Sequence, residues 1–148
     1  MRNRIIVLLL FFISGSIFTG LSYNEPTQDE SLDLPTIMRL IYADIQIINE
    51  GIYTENFKLI EQGAAAINEH PPLSDETRSL VKKTLGERMQ AFGQYDKLVH
   101  DTADSLKEAA TEQNMKRVLE KYQIIQQGCV SCHASFRNEI TQARLSSN

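Results

Sequence analysis

Residues 115–140 read MKRVLEKYQIIQQGCVSCHASFRNEI, and this stretch predicts one long amphipathic helix near the end of the chain. Its apolar side chains recur every three or four residues, which is the spacing of one face of an α-helix. The residues on this face are Met115, Val118, Leu119, Tyr122, Ile125, Cys129, Cys132, Phe136 and Ile140. We expect this helix to begin near Thr111 and to continue to the C-terminus.

Three further helical patterns precede it, and no alternating strand pattern competes with them. The first covers residues 34–49, with Gly51 as its expected C-terminal cap. The second covers residues 54–70, with Thr54 as its expected N-cap, and ends before two prolines. The third covers residues 74–110. Four amphipathic helices with short connections predict an all-α fold, an antiparallel four-helix bundle.

The N-terminal segment predicts export and is set apart from the fold. Arg2 and Arg4 precede an almost unbroken apolar run that small residues follow, so we interpret residues 1–22 as a cleaved signal peptide. An uncleaved anchor is the alternative, because the apolar run approaches the ~20 residues of a bilayer span. Residues 23–33 are polar and acidic and indicate a flexible lead-in. The bundle then occupies residues 34–148.

The composition and the lack of catalytic motifs argue against two classes of function, nucleic-acid binding and catalysis. A length of 148 residues suits one domain, and 19 acidic against 15 basic residues give a net charge of −4. A nucleic-acid binder would carry a clustered basic face, so we expect no nucleic-acid partner. The sequence contains no readable Ser/His/Asp set, phosphate-binding loop or carboxylate pair. We therefore expect no enzymatic activity.

Both cysteines of the chain fall in one motif, Cys129-Val130-Ser131-Cys132-His133. This spacing is the attachment signature of a c-type haem. Thiols at i and i+3 project from the same side of a helix, so they can bond the two vinyl groups of one haem. The histidine that follows offers its imidazole to the iron. The motif thus predicts one covalently bound haem c on the C-terminal helix, and a compartment outside the cytoplasm.

Three other interpretations of the motif remain open on the residues alone. A zinc site requires four ligands, for which only His70 or His100 could complete the set. A thioredoxin-like redox pair normally lies at a turn from a strand to a helix, and no strand is expected here. A local disulfide between Cys129 and Cys132 is the third.

The segment GCVSCHASFR, residues 128–137, resembles the C-terminal helix of the cytochrome c′ family. The resemblance implies a four-helix bundle with its haem site near the C-terminus, and it implies that Arg137 is the basic residue beside the proximal His133. It also implies that the first helix covers the other face of the haem. That helix supplies either an apolar blocking residue or a methionine as sixth iron ligand. Relatives often dimerise through their first two helices, so both a monomer and a homodimer stay open.

Met38 is the only methionine in the first helix, at the margin of its apolar arc. With the resemblance, Met38 becomes the candidate sixth ligand; the alternative is a filler at the edge of the core. Asp44 falls inside the same arc, and we expect it to meet solvent or a surface lysine, with a pairing to Arg137 as the alternative. His70 and His100 lack ligand spacing and are expected on the surface.

These observations predict a periplasmic c-type cytochrome with a single haem. His133 would be its proximal ligand, and its activity would be electron transfer between redox partner proteins. After signal cleavage we expect no membrane association. The alternative is a five-coordinate protein, similar to cytochrome c′, that binds nitric oxide or carbon monoxide. The sixth ligand separates the two.

Overall fold

The computed structural model describes residues 31–147, and six α-helices are its main elements. They are α1 (Leu34–Tyr53), α2 (Phe57–Glu69), α3 (Asp75–Leu85), α4 (Met89–Thr111), α5 (Met115–Cys132) and α6 (Asn138–Ser146). A 3₁₀ turn, Gly86–Arg88, joins α3 to α4, and a π-helical segment, His133–Arg137, joins α5 to α6. Between residues 31 and 147 there is no β-strand, only an isolated bridge between Leu32 and Leu73. The predicted all-α class is confirmed.

The chain that enters the bundle is held against the loop between α2 and α3. The Leu32 N–H donates to the Pro72 carbonyl at 2.9 Å, and the Leu32 carbonyl accepts from the Ser74 N–H at 2.9 Å. Asp33 then caps α1, because its carboxylate accepts a 2.9 Å hydrogen bond from the Thr36 N–H. The expected signal peptide and the first part of the lead-in lie outside the described residues.

Four of the helices form the predicted bundle. Helix α1 packs on α2, α2 on α4, and α4 on α5. Their shared core, here called the central cluster, consists of Ile48, Ile60, Ala64, Ile67, Val99, Ala103, Leu106, Ala109, Ala110, Val118, Tyr122 and Ile125. At one end of the bundle α3 packs on α6 over a second core, the end cluster, whose buried residues are Val81, Leu85, Phe136 and Ile140.

Two glycines allow α1 and α2 to approach closely. A Cβ atom on Gly63 would lie 2.8 Å from the backbone oxygen of Asp44 and 2.8 Å from Cγ1 of Ile48. A Cβ atom on Gly51 would lie 2.7 Å from Cγ1 of Ile60. Gly51 is therefore a buried packing residue within α1. The prediction that it ends the first helix is wrong, since α1 continues to Tyr53.

The caps of two other helices also differ from expectation. Asn56, and not Thr54, caps α2, because its side chain accepts from the backbone N–H groups of Lys58 and Leu59. Thr54 instead follows the end of α1, where its hydroxyl donates to the Glu50 carbonyl at 2.7 Å. Helix α5 begins at Met115 behind an Asn114 cap and not near Thr111.

The predicted third helix is divided in two at Gly86. This residue has φ = +53°, a backbone conformation that residues with a Cβ atom rarely adopt. Its N–H donates to the Lys82 carbonyl. Glycine adopts a positive φ without strain, and a glycine in such a conformation commonly ends a helix. The break lets α3 leave the bundle and pack on α6, while α4 takes the place of the third bundle helix.

Alanine substitution at two glycines tests the close packing of α1 on α2. Gly63→Ala should destabilise the protein by about 1–3 kcal/mol, because the new methyl group meets the α1 backbone. Gly93→Ala in α4 is the matched control, since nothing lies within 4 Å of a Cβ there, and it should stabilise by about 1 kcal/mol through helix propensity. The measurement is denaturant unfolding, and stabilisation by both substitutions would contradict the packing.

Candidate functional site

Helix α5 directs both cysteines of the motif into the protein interior. Cys129 and Cys132 are half-buried and not joined by a disulfide. Cys129 packs against the central cluster, whereas Cys132 packs against the end cluster. The two thiols thus lie at the junction of the two cores. Just before them, Gly128 lets α5 approach α4 closely, because a Cβ there would lie 3.1 Å from Cγ2 of Val99.

Burial changes the ionisation of both thiols. It raises the pKa of Cys129, and it raises the pKa of Cys132 to about 11, with smaller contributions from Cys129 and from the negative charge of Asp96. Apolar surroundings favour the neutral form of such a group. Both sulfurs are therefore protonated thiols at neutral pH, in surroundings that suit an apolar ring.

The π-helical segment that follows the motif is fixed by aromatic packing. Phe136 is buried in the end cluster, with its ring centroid 5.7 Å from that of Phe92 and 6.1 Å from that of Tyr95. The Arg88 guanidinium lies 5.9 Å from the Phe136 ring centroid and also pairs with Glu139. The histidine of the motif, at the start of this segment, is exposed. Such π segments often lie at functional sites.

The edge between α1 and α5 differs from the other three edges of the bundle. These two helices are not closely packed along their length. They are tied near one end, where the Tyr122 hydroxyl donates to Oδ1 of Asn49 at 2.7 Å. Towards the other end, Leu34 packs against the end cluster, which Cys132 also contacts. The two ties show that α1 and α5 run antiparallel, and we call the region between them the α1–α5 edge.

The hydrogen-bonded tie fixes which residues lie opposite each other along this edge. Met38 precedes Asn49 by 11 residues, and His133 follows Tyr122 by 11 residues. That spacing is about three helical turns, or ~16 Å, so each residue returns to the face that carries its tie. Because the helices are antiparallel, equal spacings from this hydrogen bond lead us to expect Met38 at about the level of His133 along the edge. The Met38 side chain is 37% exposed.

The residues at this edge fit a covalently held haem. Two free thiols and an imidazole follow one another on α5. On α1, the half-buried Ile41 and Ile45 pack on the same central cluster that Cys129 contacts. Two thiols with a histidine are the donor set of c-type attachment.

The alternatives to a haem site have less support. The local disulfide is not formed. Among residues 31–147, no group of three or more His, Cys, Asp or Glu side chains is arranged to hold a metal ion, so the four-ligand zinc site finds no ligand set there. The strand that a thioredoxin-like pair would need is likewise not found in this range.

A scan of protein-family models returns the family described as Cytochrome C', matched over residues 48–137. The chain belongs to the cytochrome c′ family. A cytochrome c′ of this kind carries covalently bound haem c, in agreement with the predicted cofactor class. No curated protein and no solved structure matches the chain at a significant level. The family match includes the whole attachment motif, but it starts at Ile48 and leaves Met38 outside.

The structure of this cytochrome c′ also bears on membrane association and on the positions of Arg137 and Asp44. No helix within residues 31–147 has both the length and the apolar character needed to cross a membrane. Arg137 is exposed on the π segment, and no ion pair joins it to Asp44 among the described residues. Asp44 is half-buried; burial raises its pKa and the charge of His70 lowers it. Asp44 thus keeps partial exposure to solvent, as expected, and no lysine pairs with it among the described residues.

His70 and His100 lie at the surface but are half-buried rather than fully exposed. Their ring centroids are 5.3 Å apart, and Nδ1 of His100 lies 2.6 Å from Oδ1 of Asn68. A hydrogen bond with Asp96 raises the pKa of His100 and lowers that of Asp96. Asp96, His100 and Asp104 are spaced by four residues on α4, and this spacing is visible in the sequence. The contact of His100 with Asn68 on α2 can be seen only in the tertiary structure.

Thioether formation is tested by extraction of the haem. The protein exported to an oxidising compartment should keep its haem in acidified acetone, because Cys129 and Cys132 would both be bonded to it. The matched control is the Cys129→Ala/Cys132→Ala double variant, which retains His133 and should release any haem it has bound. Loss of the haem from the native protein into the solvent would contradict covalent attachment.

Proposed function

We propose that this chain is an exported cytochrome with one haem c, and that it transfers electrons between redox partner proteins in the periplasm. The observation that carries the proposal is the Tyr122–Asn49 hydrogen bond between α1 and α5, because equal spacings from it would bring Met38 to the level of His133. Bound haem c supplies an iron that gains and loses one electron. The basic and apolar N-terminal sequence, with Arg2 and Arg4 before an apolar run, supports export.

Each residue of the site has a separate role in this proposal. The thiols of Cys129 and Cys132 would hold the haem to α5, and the His133 imidazole would bind its iron as the proximal ligand. The Met38 thioether would be the sixth ligand. Because thioether ligation favours the reduced metal, it raises the reduction potential. Ile41 and Ile45 keep water away from the α1 side.

The choice of Met38 follows from its position rather than from the family match. Its neighbour Ile37 is 3% exposed and cannot donate to iron, whereas Met38 lies on the α1 face that reaches α5 through Asn49. A site in which Met38 did not bind would be five-coordinate and open to nitric oxide or carbon monoxide. That site remains the alternative function.

Arg137 would raise the reduction potential of the iron but would not hold the haem. Its guanidinium follows His133 by about one turn and has an exposed position. A positive charge at that place disfavours the oxidised, more positive iron. Solvent screening keeps the effect small.

The spin state of the oxidised protein tests the electron-transfer proposal. Native protein should be low-spin and slow to bind carbon monoxide when reduced. Met38→Leu keeps the apolar volume but removes the sulfur donor, so it should give a high-spin protein that binds carbon monoxide readily. Met115→Leu, which changes a methionine packed on the central cluster, is the control and should leave the spectrum unchanged. A native protein that is already high-spin would favour the gas-binding alternative.

Redox titration tests the role of Arg137. Arg137→Ala should lower the reduction potential by roughly 20–40 mV, since a screened surface charge is worth about 0.5–1 kcal/mol. Arg137→Lys keeps the charge and should retain most of the native potential. Equal potentials for Arg137→Ala and the native protein would make Arg137 a surface residue without a role at the iron.

A further inference from the structure

Tyr122 and Asn49 form a buried polar contact in an otherwise apolar part of the bundle. The Tyr122 side chain belongs to the central cluster and is 7% exposed, and its hydroxyl donates to Oδ1 of Asn49 at 2.7 Å. Burial raises the pKa of Tyr122, so the hydroxyl keeps its proton as the donor. In the described part of the chain, no other side-chain hydrogen bond joins α1 to α5.

The apolar face of α1 does not by itself fix the register of α1 against α5. Its side chains repeat along the helix, with Ile37, Ile41, Ile45 and Ile48 at intervals of three or four residues. A slide of α1 by one turn, about 5.4 Å, would bring one isoleucine close to the place of the next at this edge, so the close packing of α1 on α2 at Gly63 and the Tyr122 hydrogen bond are the contacts that oppose it. Such a slide would bring Tyr42, instead of Met38, level with His133.

A hydrogen bond distinguishes these registers because it is directional and short-ranged. A slide of α1 by one turn moves Asn49 by about 5.4 Å, which is enough to take a 2.7 Å contact out of hydrogen-bonding range. The partly buried hydroxyl would then lose its partner on α1 and keep only the Gln126 side chain of its own helix, and the loss of a hydrogen bond costs stability. The native register is therefore the one in which the hydroxyl reaches Asn49.

We infer that the Tyr122–Asn49 hydrogen bond is a register clamp that positions Met38 opposite His133, and that Tyr122 and Asn49 are positioning residues for the sixth-ligand site. The clamp rests on the proposed function, because it presumes that Met38 binds the iron. It acts from about three turns away and touches neither ligand. It holds α1 along the edge where the helices are not closely packed.

The test removes the hydroxyl and measures ligand access. In reduced holoprotein, Tyr122→Phe should increase the rate of carbon monoxide binding about fivefold, which corresponds to one lost hydrogen bond of net strength about 1 kcal/mol. The oxidised variant should show a larger high-spin fraction than the native protein. Asn49→Asp keeps an acceptor at the same place and should stay near the native rate, whereas Asn49→Leu should behave like Tyr122→Phe.

Two controls separate positioning from general stability. Val118→Ala shortens a fully buried residue of the central cluster on the same helix and lowers stability without removing either group of the hydrogen bond. Tyr42→Phe removes the hydroxyl of an exposed tyrosine on α1. Both should leave carbon monoxide binding near the native rate. If Val118→Ala opens the site as much as Tyr122→Phe does, the clamp is overturned and the hydroxyl contributes only to stability.

The outcomes distinguish this inference from the function on which it rests. A native protein that is already high-spin contradicts both the Met38 ligand and the clamp. A low-spin native protein whose spin state and carbon monoxide rate are unchanged by Tyr122→Phe retains the proposed function and overturns the clamp alone.

Discussion

The site depends on one constraint: two cysteines three residues apart on a helix must both point into the protein. Helix α5 meets this constraint by lying across the junction of two cores, so that Cys129 contacts the central cluster and Cys132 the end cluster. The close α4–α5 contact at Gly128 and the burial of Phe136 hold α5 in that position. The break at Gly86 contributes as well, because it allows α3 to leave the bundle and build the end cluster against α6.

The arrangement of the other helices follows from this position of α5. Three edges of the bundle are closely packed, with glycines at the α1–α2 contact, while α1 and α5 are not closely packed and are joined by the Tyr122–Asn49 hydrogen bond. In some proteins a polar pair in a core selects one arrangement among similar apolar ones. We propose the same role for the Tyr122–Asn49 pair, since the isoleucine repeat of α1 does not by itself set the register against α5.

The sequence was informative wherever a local pattern sufficed. The periodicity of α5 and the spacing of Cys129, Cys132 and His133 predict the helix and its chemistry without tertiary information. Gly86 was misread because a glycine inside a helical pattern looks the same whether it is tolerated or ends the helix; its positive φ decides. No sequence signal marked the π segment. The Asn68–His100 contact joins two helices and could not be read from either one.

Met38 illustrates the same limit. From its position at the margin of the apolar face of α1, Met38 could be either an iron ligand or a core residue. The periodicity of a sequence describes one helix and does not show which neighbouring helix a residue faces. The contact between Asn49 and Tyr122 relates the two helices, and the proposal that Met38 faces His133 rests on it.

The central claim is that this thioether lies on the iron, and proton NMR of the reduced holoprotein with methyl-labelled methionine tests it most directly. A methionine bound at the haem face feels the ring current of the porphyrin, so its methyl signal should be displaced far to high field. The account predicts one such signal in the native protein and its loss in Met38→Leu. Ordinary positions for all methionine methyl signals, or a displaced signal that survives Met38→Leu, would contradict it.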